Sequence, residues 1–354
     1  MNGLSARSRA FARRARWGLL IPACVLAFLW FFQGVSFLSE EEEALWRKVR
    51  AAQTSLAAWR DASQLPALYP EYDFSKTDPW RSGFIGIEWS PVTTTLGPIE
   101  AKRTAADPLW SVYALREFRK FGLKEGETIA MISSSSFPGL VYSLLAAAEH
   151  LGLRVLWIHS LGASTWGANI PEMSWPKIGE LLRNGGFLSR KPDWYTLGGG
   201  NESGGGMSPE GRKALLAAAL HDGVPMLEAA TLQEMIELKT KHILSVKPRL
   251  VLAVGGSHST FGQADIVPPG GGWYTPEDTE RVDMGEGVFR AVLLSGVPVL
   301  HFLNLRPLAR SAGIPFDVPP RSRFGGGAGD AACAAGLLFY VVFLFRFHRW
   351  RRDE

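Results

Sequence analysis

The chain is poor in cysteine, with two in 354 residues, and both (Cys24 and Cys333) lie inside long apolar runs. The stretch between those runs therefore has no disulfide and no thiolate zinc site. No His-x-x-x-His or similar metal-ligand spacing occurs, and we expect no metal and no cofactor. There is no G-x-x-x-x-G-K-[ST] phosphate loop, which argues against an ATP-using ligase. A general basic field is missing too. Nine of the 38 Lys and Arg lie at the two ends. With Asp353 and Glu354 set aside, the body at 17–345 has 29 basic against 32 acidic residues. Nucleic acid is thereby excluded as a partner, and so is a broad track for any polyanion.

Two apolar runs stand out. Trp17 to Leu38 carries no charge and is long enough to cross a bilayer. The shorter Ala331 to Phe345, extended by the glycines from 325, makes a second span over 325–345. Five arginines precede the first and four follow the second. Charge then places both tails, 1–16 and 346–354, in the cytoplasm and the body across the membrane. Gly34-Val35-Ser36 also fits a signal-peptide cleavage site, but the length and Trp content of the run favour a retained anchor.

Apolar spacing at Leu45, Val49, Ala52, Leu56 and Trp59 predicts an amphipathic helix, followed by a Pro- and Trp-bearing linker, so 39–83 reads as a juxtamembrane helix and linker. From 84 to 320 short apolar runs alternate with helical ones. Strands are expected at 84–87, 128–133, 154–159, 194–197, 249–254 and 297–303. Helices are expected at 108–121, 138–151, 175–184, 209–220, 232–244 and 288–294, and Thr93 to Thr95 reads as a helix cap. That alternation predicts an α/β domain, a Rossmann-like, mostly parallel sheet flanked by helices, with a transmembrane helix at either end.

Ligands of such sheets bind outside the carboxyl ends of the strands. Four Gly- and Ser-rich stretches fall there: SSSSFPG (133–139), HSLGASTWG (159–167), LGGGNESGGG (197–206) and VGGSHS (254–259). Ser133, Ser134, Ser135 and Ser136 sit at a strand-to-helix turn, where hydroxyls and free amides suit a phosphate or carboxylate. They also suit plain capping. A serine nucleophile with His159 or His258 as base is the enzymatic alternative, although the G-x-S-x-G elbow is missing. The other candidates are Ser160, Gly162, Ser164, Trp166 and Asn169 in the second loop, and Gly255, Gly256 and His258 in the last. Thr94, Thr95, Glu100, Lys102 and Arg103 complete the set, the two cations as a pair for an anion. Gly198 to Gly206 also reads as a flexible loop.

Two resemblances follow. Ile132-Ser133-Ser134-Ser135 with the later His159-Ser160 resembles sugar-isomerase-type phosphosugar-binding domains, without their Ser-Gly step, over about a quarter of the body. EWSPVTTTLGPIEAKRTAADP (88–108), ISSSSFPGL (132–140), HSLGASTWGANIPEMSW (159–175) and the late Val254-Gly255-Gly256, behind an N-terminal anchor, resemble the bacterial poly-γ-glutamate system protein family across roughly 84–305. That resemblance implies an accessory role in making, exporting or releasing the polymer. The partners it implies are the synthase and export membrane proteins, membrane lipid and the anionic polymer itself. It implies no catalytic residues.

Overall fold

The computed structural model describes residues 36–262 and 270–324, together with 23, 24, 336, 338 and 340–342. The chain divides into two units, 39–322 and a second made of its two ends. In the second, Ser36–Phe37 pairs antiparallel with Arg323–Phe324. The expected spans at 17–38 and 325–345 and the tails at 1–16 and 346–354 lie, but for a few residues, outside the described ones. Among the described residues no helix is long and apolar enough to cross a membrane.

The larger unit is α/β. It opens with α1 (Glu40–Ala62), capped by Ser39, which accepts from the Glu42 amide while the Glu42 carboxylate accepts from the Ser39 amide. The predicted face of α1 (Leu45, Val49, Ala52, Leu56) is buried, but Trp59 is only half-buried and Arg60 takes the inner place beside Asp78 at 2.8 Å. There follow β1 (Thr93–Thr95), α2 (Ile99–Ala105), α3 (Leu109–Lys120), β2 (Thr128–Ser134), α4 (Pro138–His150), β3 (Arg154–Ser160), β4 (Ala163–Ser164), α5 (Trp175–Asn184) and β5 (Trp194–Thr196). The chain continues through α6 (Pro209–Asp222), α7 (Leu232–Ser245), β6 (Val251–Val254), β7 (Gly272–Tyr274), α8 (Val288–Leu294), β8 (Val299–Phe302) and α9 (Leu305–Ala312).

Six strands form the main sheet in the order β5-β3-β2-β6-β8-β7. Five are parallel, and β7 closes one edge antiparallel to β8. β2, β3, β6 and β8 are buried almost throughout, as expected of strands covered on both faces. The chain winds outward from β2 through β3 to β5. It then returns to β6 on the other side of β2. The direction of winding reverses between β2 and β6, where a crevice opens at the carboxyl ends.

Several expectations are corrected. Phe84 to Ile87 joins no strand ladder. It is held by two backbone bonds to Trp166 and by Asn169, which accepts from the Ile87 amide and donates to the Ile87 carbonyl. Thr93–Thr95 is a short strand against Ala163–Ser164, and α2 starts at Pro98 without a side-chain cap. Neither the edge strand β7 nor the helix α9 was expected. The stretch 198–206 is folded on itself by bridges between Gly198 and Ser203 and between Gly200 and Gly205.

Candidate functional site

The crevice at the reversal is a cleft of about 700 Å³. Twelve of the candidate residues line it: Thr94, Thr95, Glu100, Lys102, Ser134, Ser136, Ser160, Gly162, Ser164, Gly255, Gly256 and His258. The other five do not, and each has a structural task.

Ser133 and Ser135 point to the opposite side of β2. Ser133 Oγ is 2.8 Å from His159 Nδ1, and Ser135 Oγ is 2.9 Å from His159 Nε2. The Trp157 indole also donates to Ser133. Ser135 and His159 are fully buried. Burial, with Lys239 nearby, pushes the imidazole down to about 3, so the ring is neutral and donates from one nitrogen while accepting at the other. The serine–histidine contact expected of an enzyme is present, but it is a satisfied polar knot inside the core and offers no nucleophile to the cleft.

Trp166 lies outside the cleft. It has a left-handed backbone (φ 64°), shares two backbone bonds with Gly86 and Ile87, and meets Tyr72 edge-on. Asn169 is the clamp on Ile87. Arg103 turns away from Lys102, donates to the Thr77 and Lys76 carbonyls at 2.8 Å and lies 3.7 Å from Asp317. The expected cationic pair is therefore split, and only Lys102 faces the cleft.

Lys102 is the unusual group. It is 3% exposed. Its Nζ lies 2.7 Å from the Ser136 carbonyl and 2.5 Å from Ser164 Oγ, and 3.8 Å from the centre of the Phe137 ring. No carboxylate pairs with it among the described residues. Burial alone pushes its pKa down from 10.5 to about 7. Beside it, Ser134 is a buried residue that lines the cleft, and its hydroxyl has no protein partner among the described residues. Ser136 accepts from the Ser164 amide, tying the first loop to the second. No serine of SSSSFPG caps α4, whose first turn stays open. α9, also uncapped, begins at the cleft wall with Asn304, Leu305 and Arg306. Arg306 lies over the Phe316 ring at 4.0 Å. Two helix amino ends, an arginine and a buried lysine line the cleft against one carboxylate, Glu100, so positive charge predominates along its wall.

The floor under the Gly-rich stretch is a second polar cluster that the residue pattern concealed. Glu202 enters the protein from LGGGNESGGG and ion-pairs with Lys239 of α7 at 3.1 Å. It also accepts from Thr196 and Ser259 at 2.7 and 2.6 Å. Burial would raise its pKa, but Lys239 and the surrounding hydroxyls overcome that and hold it at about 2. Burial pushes Lys239 down, with the carboxylate opposing. Hydroxyl donors surround the carboxylate and favour the ionised pair as the anchor. Above it, the Asn201 amide donates to His258 Nδ1 at 3.2 Å, fixing the stretch over the cleft.

Gly198, Gly199, Ser257, Asn304 and Arg306 also line the cleft and were not among the candidates. The rule that picked the other loops would have found Arg306: NLRP follows the carboxyl end of the last parallel strand. Lys239 had a signal as well, being a lysine on the apolar face of α7 with Met235, Ile236 and Ile243. No group of three or more possible metal ligands occurs among the described residues. No family model, curated protein or solved structure matches the chain.

Proposed function

We propose that this chain is a membrane-anchored accessory component of poly-γ-glutamate synthesis and export, and that its Rossmann-like domain binds glutamyl carboxylates in the switch-point cleft. The observation carrying this reading is Lys102, a buried amine in the cleft wall that no carboxylate of the described protein pairs with. A buried cation without a partner is costly, and a bound carboxylate would supply the missing charge. Ser134, Arg306 and the open ends of α4 and α9 add donors suited to oxyanions. The near-neutral body fits a site for one or two carboxylates, with the polymer's remaining length in solvent. The motif resemblance supplies the polymer. The arginine-rich ends and apolar runs supply the anchors, with both tails in the cytoplasm, the domain outside, and the synthase and export proteins as neighbours.

The test is titration calorimetry of the full chain with short γ-glutamyl oligomers, beside the same oligomers with their carboxylates amidated. The carboxylate form should bind, the amidated form should not, and Lys102→Met should weaken binding. Because the lysine loses its proton through about pH 7, affinity should fall from pH 6 to pH 9. Equal binding of both oligomers, or of neither, overturns the reading.

A further inference from the structure

We propose that Ser164 and Lys102 form a nucleophile–base pair that cleaves an acyl bond, an amide or ester, of a carboxylate-bearing ligand held in this cleft. The choice of a γ-glutamyl amide as substrate rests on the reading just given; the pair itself does not.

Lys102 Nζ and Ser164 Oγ are 2.5 Å apart, within the reach a general base needs, and both line the cleft. The second Lys102 contact is a carbonyl, Ser136 O, which only accepts. An amine that donates to that carbonyl keeps its lone pair for the serine proton, so the geometry orients the base. The contrast with the other serines is direct: Ser133 and Ser135 are consumed by a buried histidine, and the Ser136 hydroxyl accepts from the Ser164 amide. Burial keeps a share of Lys102 in the neutral form a base requires near pH 7. Access is preserved by Gly97. A Cβ there would stand 3.3 Å from Lys102 Cε and 3.4 Å from Ser164 Oγ.

The step balances with water as the only co-reactant. Ser164 Oγ bonds to the carbonyl carbon and its proton passes to Lys102 Nζ. The C–N bond breaks, and the leaving amine departs with that proton. Water then attacks the resulting ester and gives a proton to Lys102. The ester C–O bond breaks, and Ser164 recovers its hydrogen. One amide and one water become one carboxylic acid and one amine. The uncapped amino end of α4, whose preceding residues Ser136 and Phe137 line the cleft, is a source of fixed donors for the oxyanion.

Binding and cleavage have opposite pH dependences. Anion binding uses the protonated lysine and weakens as pH rises; cleavage uses the neutral amine and strengthens. The experiment treats the full chain with a fluorophosphonate and locates the adduct by peptide mass, with γ-glutamyl-p-nitroanilide turnover followed alongside. Wild type should label at Ser164 at a rate rising through about pH 7. Lys102→Arg, which keeps the charge but provides no base, and Lys102→Met should each slow labelling about a hundredfold. Ser164→Ala should abolish labelling and turnover while still binding γ-glutamyl oligomers. Folding of every variant is checked by circular dichroism. No Ser164 adduct in folded wild type, or an equal rate in Lys102→Met, overturns the pair. Labelling without p-nitroanilide release overturns the γ-glutamyl substrate. Labelling in a protein that binds no oligomer overturns the anion-binding reading and leaves the pair standing.

Discussion

Two lysines are buried to the same degree, each 3% exposed, and they have opposite surroundings. Lys239 meets Glu202 and Ser259 at 3.1 and 2.8 Å, and the carboxylate has further donors. Its cluster is complete, so its effect is spent within the fold, pinning the Gly-rich stretch. Lys102 has a carbonyl and a hydroxyl but no countercharge, and it faces a cleft. The difference separates a structural charge from one available to a ligand.

That distinction breaks most visibly at Lys239. Lys239→Met leaves Glu202 buried and ionised, and urea unfolding at pH 7 should show a loss of about 3–5 kcal/mol. The double variant Lys239→Met with Glu202→Leu should recover much of it. If the single variant is as stable as wild type, the pair is not an anchor.

Acid probes the same cluster. Glu202 titrates near 2 in the folded chain against an ordinary 4.5. Its contribution, at most about 3 kcal/mol, is present above pH 4.5 and lost as pH falls toward 2. Thermal melts from pH 5 to pH 2 should show it in wild type and a shallower decline in Glu202→Gln.

Lys102 should behave the other way. Its depressed pKa means that the unfolded chain holds more protons between about 7 and 10.5, so wild-type stability rises with pH across that window. Lys102→Met removes the penalty. Part of the gain is offset by the unsatisfied Ser136 carbonyl, leaving the variant more stable by about 2 kcal/mol at pH 6, with the advantage shrinking toward pH 10. A variant less stable at pH 6 would place Lys102 with Lys239 as a structural charge.

The smallest contrast lies on the two faces of β2. Ser135→Ala removes a partner of a buried histidine and should cost about 1–2 kcal/mol without changing oligomer affinity. Ser134→Ala should leave stability within about 0.5 kcal/mol and weaken affinity. Reversed outcomes would exchange the roles of the two faces.

Much of this was legible in residue order. The alternation of apolar runs fixed the strands and helices at 128–160, and the helices expected at 209–220 and 232–244 are present, capped by Ser208 and Thr231. The rule that sites gather at strand carboxyl ends picked out eight of the twelve candidates that share one cleft, because parallel strands bring those ends to one rim. Period-2 alternation does not reveal which face of a strand is open. Ser133 and Ser135 therefore read like Ser134 and Ser136, although the register opposite His159 turns one pair inward. Arg103 and Lys102, adjacent in the chain, point to different partners because α2 turns successive side chains about 100° apart.

The sequence by itself determined the α/β alternation, the rim loops, the charge asymmetry of the ends and the apolar runs, since each is a local pattern. Only the tertiary structure decided which charges are answered. Whether a lysine is an anchor or a functional group depends on what stands within a few ångströms of it, and Lys239 finds Glu202 from a loop 37 residues away, while Lys102 finds no carboxylate among the described residues.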